Sequence, residues 1–256
     1  MAIMNLTPDS FYANSRMESL QKVVDKAGAF IEEGASIIDI GGQSTRPGAI
    51  MISEEEEIER VSGAIESISK AFPTVKVSID TFQSKVAKAA IEAGATIVND
   101  ISCGSFDPEI LEVVAQFKVG YIGMHITGTK DTMHMIPERT DIIEELIHFF
   151  TQKKQLLADK GIQDWVIDPG FGFGKTIQDN FTIIKDLRKL AIIQVPILIG
   201  VSRKSSIYKT LGISAEEALN GTTVVNTIAL KNGASILRVH DVKEARQAIT
   251  LMEYLQ

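Results

Sequence analysis

The sequence predicts an α/β fold of one kind, a single (β/α)8 barrel, on three observations. Eight short apolar, β-branched runs punctuate the 256 residues, and amphipathic stretches of helical period lie between them. A Gly-Ala-Ser/Thr pattern recurs where a helix must stop and a strand begin. Eight units in 256 residues average about 32 residues each, close to the ~30 of a strand–helix–strand unit.

The runs are Ala2–Asn5, Ser36–Ile40, Val75–Ile79, Thr96–Asn99, Tyr121–Met124, Trp165–Asp168, Pro196–Gly200 and Ser235–Val239. Each is short and bounded by turn residues, as a strand buried on both faces of a parallel sheet requires. After the first run, Leu20, Val23, Val24, Ala27, Phe30 and Ile31 recur at helical spacing and put one apolar stripe on a helix. Val86, Ala90 and Ile91 do the same after the third. Gly34-Ala35-Ser36, Gly94-Ala95-Thr96 and Gly233-Ala234-Ser235 each close a helix, because glycine just past a helix end takes the left-handed conformation that stops it. No Pro- or Ser-rich linker interrupts the series, so residues 1–256 read as one domain. A doubly wound sheet also alternates strands and helices, but eight units and no glycine fingerprint after the first strand favour the barrel.

Composition narrows the partners. Lys plus Arg number 26 against 33 Asp plus Glu, a net charge of -7, and this lacks the basic excess of a nucleic-acid binder. A small anion remains possible, since a local basic cluster can outweigh a weak global charge. The single cysteine, Cys103, forms no internal disulfide and no Cys-based zinc site, which suits a reducing cytoplasm. The apolar run from Ala191 to Val201 is broken by Gln194 and Pro196 and is too short to span a bilayer. Met1 to Ser10 has no secretory-signal pattern. The expectation is a cytoplasmic protein with neither nucleic-acid nor membrane partner.

The residues closing the runs carry the chemistry: Asn5, Asp39, Asp80, Asn99 with Asp100, His125, Asp168, Ser202 with Arg203 and Lys204, then Arg238 and His240. In a barrel every C-terminal strand end faces one mouth, where active sites are built. Asp and Asn also cap helices, which explains some of the set. Asp39, Lys204 and Arg238, however, are read as followed by loop or strand rather than by a helix. Two segments, Leu6–Phe11 and Gly41–Gly48, mix turn formers with charges and hydroxyls, as a lid over a polar ligand would. The run Asp168–Thr176 suggests a phosphate loop, but Pro169 stands where the Walker spacing needs glycine. It reads instead as a flexible turn that leaves Asp168 at the mouth and lets Phe173 cover a flat ligand. His134 and His148 read as ordinary polar groups, and no spacing suits a protein-held zinc.

Taken together the motifs resemble those of the dihydropteroate synthase family. They are Asn5-Leu6-Thr7-Pro8-Asp9-Ser10-Phe11, Asp39-Ile40-Gly41-Gly42-Gln43-Ser44-Thr45-Arg46-Pro47-Gly48, Ser78-Ile79-Asp80-Thr81 and Val98-Asn99-Asp100-Ile101-Ser102. Met124-His125, Asp168-Pro169-Gly170-Phe171-Gly172-Phe173-Gly174-Lys175, Ser202-Arg203-Lys204-Ser205 and Arg238-Val239-His240-Asp241 complete the series. The blocks touch all eight units in the family's order. The resemblance implies condensation of 6-hydroxymethyl-7,8-dihydropterin pyrophosphate with p-aminobenzoate, giving 7,8-dihydropteroate and pyrophosphate for folate synthesis. It puts Asp80, Asn99, Met124, Asp168, Phe173 and Lys204 around the pterin, with Asp168 accepting the paired N–H donors of the guanidine-like edge. It makes Arg238, His240, Asn5 and Thr45 pyrophosphate contacts, with Asn5 also toward Mg2+. Phe11, Thr45, Arg46, Pro47 and Ser202 would meet p-aminobenzoate, and Asp9 would pair with Arg46 on lid closure.

The implied step is dissociative, with no general base, and Asn5, Asp9, Arg46, Lys204, Arg238 and His240 as catalytic groups. The family also implies a homodimer through C-terminal helices, and p-aminobenzoate mimicry makes sulfonamides its expected inhibitors. Three departures stand out. Tyr12-Ala13-Asn14-Ser15-Arg16 replaces the family's more glycine-rich first loop, Gln43 stands where Glu is common, and the sequence begins at the first strand, where family members usually carry extra residues that plug the barrel floor, as a trimmed or a naturally short chain would. Two rival readings are a methyltetrahydrofolate-dependent methyltransferase of the same superfamily and a non-catalytic pterin binder. The first needs neither the pyrophosphate set nor Thr45-Arg46-Pro47, and the second would have lost loop or phosphate residues that this chain retains.

Overall fold

A computed structural model describes residues 1–6, 16–43, 51–130, 132, 135–136 and 139–255. Strands and helices alternate along the described chain: β1 (Ala2–Asn5), α1 (Arg16–Glu32), β2 (Ile37–Gly41), α2 (Glu54–Ala71), β3 (Lys76–Asp80), α3 (Ser84–Glu92), β4 (Ile97–Asp100) and α4 (Glu109–Phe117). There follow β5 (Gly120–Met124), α5 (Ile142–Asp159), β6 (Trp165–Asp168), α6 (Ile177–Asp186), β7 (Leu198–Ile199), α7 (Ser205–Leu211), α8 (Leu219–Lys231), β8 (Ile236–Leu237) and α9 (Val242–Glu253).

β1 to β6 form one parallel sheet in sequence order, and β7 pairs with β8. Two bridges close the circle, Ile167 to Ile197 and Ala2 to Val239. At the second, Ile3 N donates to Val239 O and Val239 N to Met1 O, both at 2.9 Å. All eight strands thus run the same way round a closed barrel, and their C-terminal ends share one mouth.

Local chemistry explains the boundaries. Gly34, Gly94 and Gly233 stop their helices at φ 101°, 119° and 103°, the left-handed turn that the repeated pattern implied. Ser53 caps α2 by accepting from Glu56 N at 3.2 Å, and four glutamates in its first turn complement the helix dipole. Thr176 and Asp179 form a reciprocal capping box at α6. Most expected strands lie within a residue of those observed. Pro196–Gly200 and Ser235–Val239 shorten to two residues each, with bridges carrying the rest of the pairing. One expectation is overturned: α7 begins at Ser205, so Lys204 is the residue immediately before a helix. Its side chain makes no capping bond, leaving it available to the mouth.

Alternation divides each strand between two environments. Ile38, Ile40, Val77, Ile79 and Val98 are buried in the main apolar cluster with the helices. The other parity puts Asp39, Ser78, Asp80 and Asn99 toward the barrel axis, as contacts between non-adjacent strands demonstrate. Asn99 on β4 reaches past β3 to Asp39 on β2. At the opposite end, a cavity of about 150 Å³ opens among strand starts, lined by Ile37, Lys76, Thr96, Gly120, Asp164 and Ile236. The chemistry-bearing residues lie away from it.

Candidate active site

Arg238, just after β8, reaches into the axis and joins two carboxylates. Its Nε donates to Asp39 Oδ2 and its Nη2 to Asp80 Oδ2, each at 2.6 Å. Asn99 Nδ2 donates to the same Asp39 oxygen at 3.1 Å. Asp39 is fully buried and Asn99 nearly so. Burial pushes the Asp80 carboxyl well above the usual carboxylate range, opposed by Arg238 and assisted by Asp39. Loss of hydration explains the direction: Arg238 offsets part of it, and the second carboxylate, Asp39, adds to it. The same acids, acting against desolvation, raise Arg238 above its ordinary value.

Across the mouth Asp168 ends β6, buried, with Oδ1 accepting from Gly170 N at 2.8 Å. Burial raises its pKa, while Lys204 beside it acts in the opposite direction. Lys204 is pushed down to about 8 by desolvation, against the pull of Asp168. Its ammonium donates to Phe171 O and sits 4.7 Å from the centre of the Phe173 ring. Phe173, half-buried, packs on a satellite apolar cluster of Phe82, Ile101, Met124 and Ile126. A carboxylate, an ammonium and an aromatic face over an apolar wall suit a flat heterocycle with polar edges.

Ser202 and His240 meet where the seventh and eighth units end: His240 N donates to Ser202 Oγ at 3.2 Å, and the His240 side chain is exposed. Asn5 lies at the exposed end of β1. A Cβ at Gly41 would stand 3.5 Å from Asn5 Oδ1 and 3.7 Å from Asp80 Oδ2, so the bare glycine leaves open the space these oxygens flank. The structure therefore brings Asn5, Asp80, Asn99, Met124, Asp168, Phe173, Ser202, Lys204, Arg238 and His240 to one end of the barrel. Asp9, Phe11, Thr45, Arg46 and Pro47 fall outside the described residues, as does His134. Gln43 lies within them, its Oε1 accepting from Ile52 N at 2.9 Å.

Three strand-end residues serve the scaffold instead of the mouth, His125 among them, buried against Glu145. Asp100 points away from Asn99, its neighbour of opposite parity, and accepts from Ser102 N, Ser102 Oγ, Gly104 N and Tyr121 OH at 2.6–2.8 Å. Arg203, at φ 52°, grips Asp241 through a two-pronged pair at 2.9 Å and donates to Glu216 O at 2.6 Å. Sequence reasoning named Asp39 but gave it no role, although it is the deepest member of the knot. It also passed over Lys175, which is buried beneath the turn after β6. The only signal was a lysine closing the glycine-rich run. The network of His125, Glu145, Arg139 and Asp179 behind that turn joins residues too distant in sequence to be seen as one group.

Known proteins agree with this architecture. The profile of the family described as "Pterin binding enzyme" matches residues 1–240. Dihydropteroate synthase of Synechocystis is 41% identical over 258 aligned residues, covering 100% of this chain and 89% of the relative. A Xanthomonas albilineans dihydropteroate synthase solved with 4-aminobenzoic acid superposes with a TM-score of 0.90 at 36% identity, over 100% of this chain and 92% of that one. A structure of that enzyme in complex with 7,8-dihydropteroate gives 0.88 at 33% identity, with the same two coverages. The matched profile, the full-length identity and the shared barrel agree on one assignment: this chain belongs to the pterin binding enzymes, in the dihydropteroate synthase family.

Proposed function

We propose that this chain condenses 6-hydroxymethyl-7,8-dihydropterin pyrophosphate with p-aminobenzoate, forming 7,8-dihydropteroate and pyrophosphate in folate biosynthesis. The observation that carries the reading at the level of this chain's own residues is the buried Asp168–Lys204 pair beside the Phe173 ring at the strand ends. Asp168 Oδ1 is held by Gly170 N, so the carboxylate is oriented before ligand arrives. It would accept the pterin's paired N–H donors, Lys204 would leave Phe171 O for the ring's carbonyl and N5 side, and Asp80 and Asn99 would meet the remaining edge. An analogue lacking those donors leaves a buried carboxylate unmatched, a strong basis for selectivity.

Catalysis in this reading is electrostatic and positional. The bond from the pterin methylene to the pyrophosphate oxygen breaks, the electron pair leaves with pyrophosphate, and the arylamine nitrogen attacks the methylene cation and sheds a proton. Arg238, His240, Asn5 and Thr45 would hold the departing phosphates. Ser202, Thr45, Arg46, Phe11 and Pro47 would seat p-aminobenzoate, with Asp9 and Arg46 pairing as the lid closes. Mg2+ fits the donors present. Asn5 Oδ1 flanks the open space at Gly41, and among the described residues no three His, Cys, Asp or Glu form a metal cage. An ion that keeps its waters and leans on substrate phosphates needs no such cage. Asn5 would hold it, and bound there it would supply charge neutralisation for the phosphates.

Exposed Leu211, Val224, Ile228, Leu251 and Tyr254 near the C-terminus support a homodimer through this face, testable by sedimentation. Among the described residues no helix is long and apolar enough to cross a membrane, and a cytoplasmic location is our inference from the single buried cysteine. The functional test is pyrophosphate release from dihydropterin pyrophosphate and Mg2+, with and without p-aminobenzoate. Release stimulated by the amine, with dihydropteroate formed and a sulfonamide competing, is the expected result. Pterin binding without release would point to the non-catalytic binder.

A further inference from the structure

The turn after β6 is held by a second buried lysine with no task in the condensation. Lys175 is 6% exposed, and its ammonium donates to Phe173 O at 3.0 Å and His125 O at 3.4 Å. These carbonyls bracket the turn. At one end His125 N donates to Asp168 O at 2.8 Å, and Gly170 N donates to Asp168 Oδ1. Gly170, at φ 72°, packs so closely that a Cβ there would lie 2.1 Å from His125 O and 3.0 Å from Lys175 Nζ. At the other end Phe173 presents its ring to Lys204. One ammonium therefore sits against the backbone that aims Asp168 and the carbonyl that carries Phe173.

The surroundings offer this lysine two backbone carbonyls but, among the described residues, no carboxylate bonded to it directly. Desolvation pushes it down to about 7, with Arg139 and Lys204 acting in the same direction against Asp168 and Glu145. An apolar side chain of equal length would avoid that burial cost but would leave the His125 and Phe173 carbonyls without this donor. Arg139 reinforces the turn from outside, donating to Gly174 O at 2.9 Å and pairing with Glu145 at 3.0 Å and Asp179 at 3.3 Å.

We infer that Lys175 is a positioning residue for the pterin half of the site, its ammonium tying the end of β5 to the tip of the β6 turn so that Asp168 and Phe173 are set for a flat heterocycle. The inference rests on the synthase reading of the site. The test compares wild type with Lys175→Met for calorimetric binding of 6-hydroxymethyl-7,8-dihydropterin, which lacks phosphate, and for the KM of each substrate. The pterin Kd and the KM for pterin pyrophosphate should rise about tenfold or more, the scale of a small misplacement, while the KM for p-aminobenzoate moves far less. Lys175→Gln, which keeps an N–H donor without the charge, carries the comparison if the methionine variant does not fold. Unchanged pterin affinity in a folded variant, or equal weakening toward both substrates, overturns the inference alone. Wild type that binds no pterin removes the synthase reading and this inference with it.

Discussion

Arg238 and Lys204 differ in how far their charges are already engaged, and the difference decides how each should be probed. Arg238 is committed to Asp39 and Asp80. Arg238→Ala would strip the partner from a buried carboxylate, so it should cost about 3–5 kcal/mol of stability, and a lost turnover would not isolate the pyrophosphate contact. His240→Ala is the cleaner variant, because that side chain is exposed. It should slow pyrophosphate release while phosphate-free pterin binds as in wild type; a lost pterin affinity would remove His240 from the phosphate role. Lys204 invites a pH experiment. With its pKa lowered to about 8, it is charged below that pH and neutral above it, so pterin affinity should fall on the alkaline side. Asp168 is raised and accepts paired donors only when ionised, so affinity should also fall on the acidic side. In Lys204→Arg, whose guanidinium stays charged, the part of the alkaline fall centred near pH 8 should vanish, leaving only the part that Lys175 sets near 7. Persistence of the part near pH 8 would assign that limb to the ligand or to another group.

Elements were legible where periodicity was strong and blurred where neighbouring residues take opposite parities or a strand is very short. Runs of β-branched residues located β1 to β6 because burial on both faces demands them. β7 and β8 keep only two residues each, since much of the last quarter of the barrel is joined by single bridges. Asn99 and Asp100 read alike in sequence, yet alternation sends one to the axis and the other into a turn with Ser102 and Gly104. Lys204 read as a loop residue because the Ser205-Ser206 start of α7 has no apolar period. The Arg203 fork was equally hidden, since its partners lie 38 and 13 residues away. The fork has a job at this scale, fastening the loop that carries Ser202 and Lys204 to the start of α9. Arg203→Lys keeps the charge but loses the planar two-pronged geometry. It should cost about 1–2 kcal/mol in denaturant unfolding, the scale of charge-assisted hydrogen bonds, with a larger loss of kcat than of stability. A variant of normal stability and normal kcat would leave Arg203 without that job.

At the scale of the whole molecule, the site depends on a closure whose halves come from opposite ends of the chain. β1 supplies Asn5 and the unit of β8 supplies Arg238 and His240, and they are neighbours only because Ile3 N donates to Val239 O and Val239 N to Met1 O. If the barrel is a single domain, opening that seam must loosen strands on the far side as well. Trp165, the only tryptophan, is buried at the start of β6 and reports there. Val239→Pro removes the N–H that donates to Met1 O and should cost about 3 kcal/mol or more, as proline does inside regular structure. Wild type should unfold in one transition by circular dichroism and by Trp165 fluorescence together. In the variant both curves should shift to lower denaturant by the same amount. A seam that opens to hydrogen exchange at Ile3 while the Trp165 transition stays in place would divide the barrel into independent parts. The mouth would then be an interface between two units, and its pairing of Arg238 with Asp80 would have to be explained as a contact across that interface.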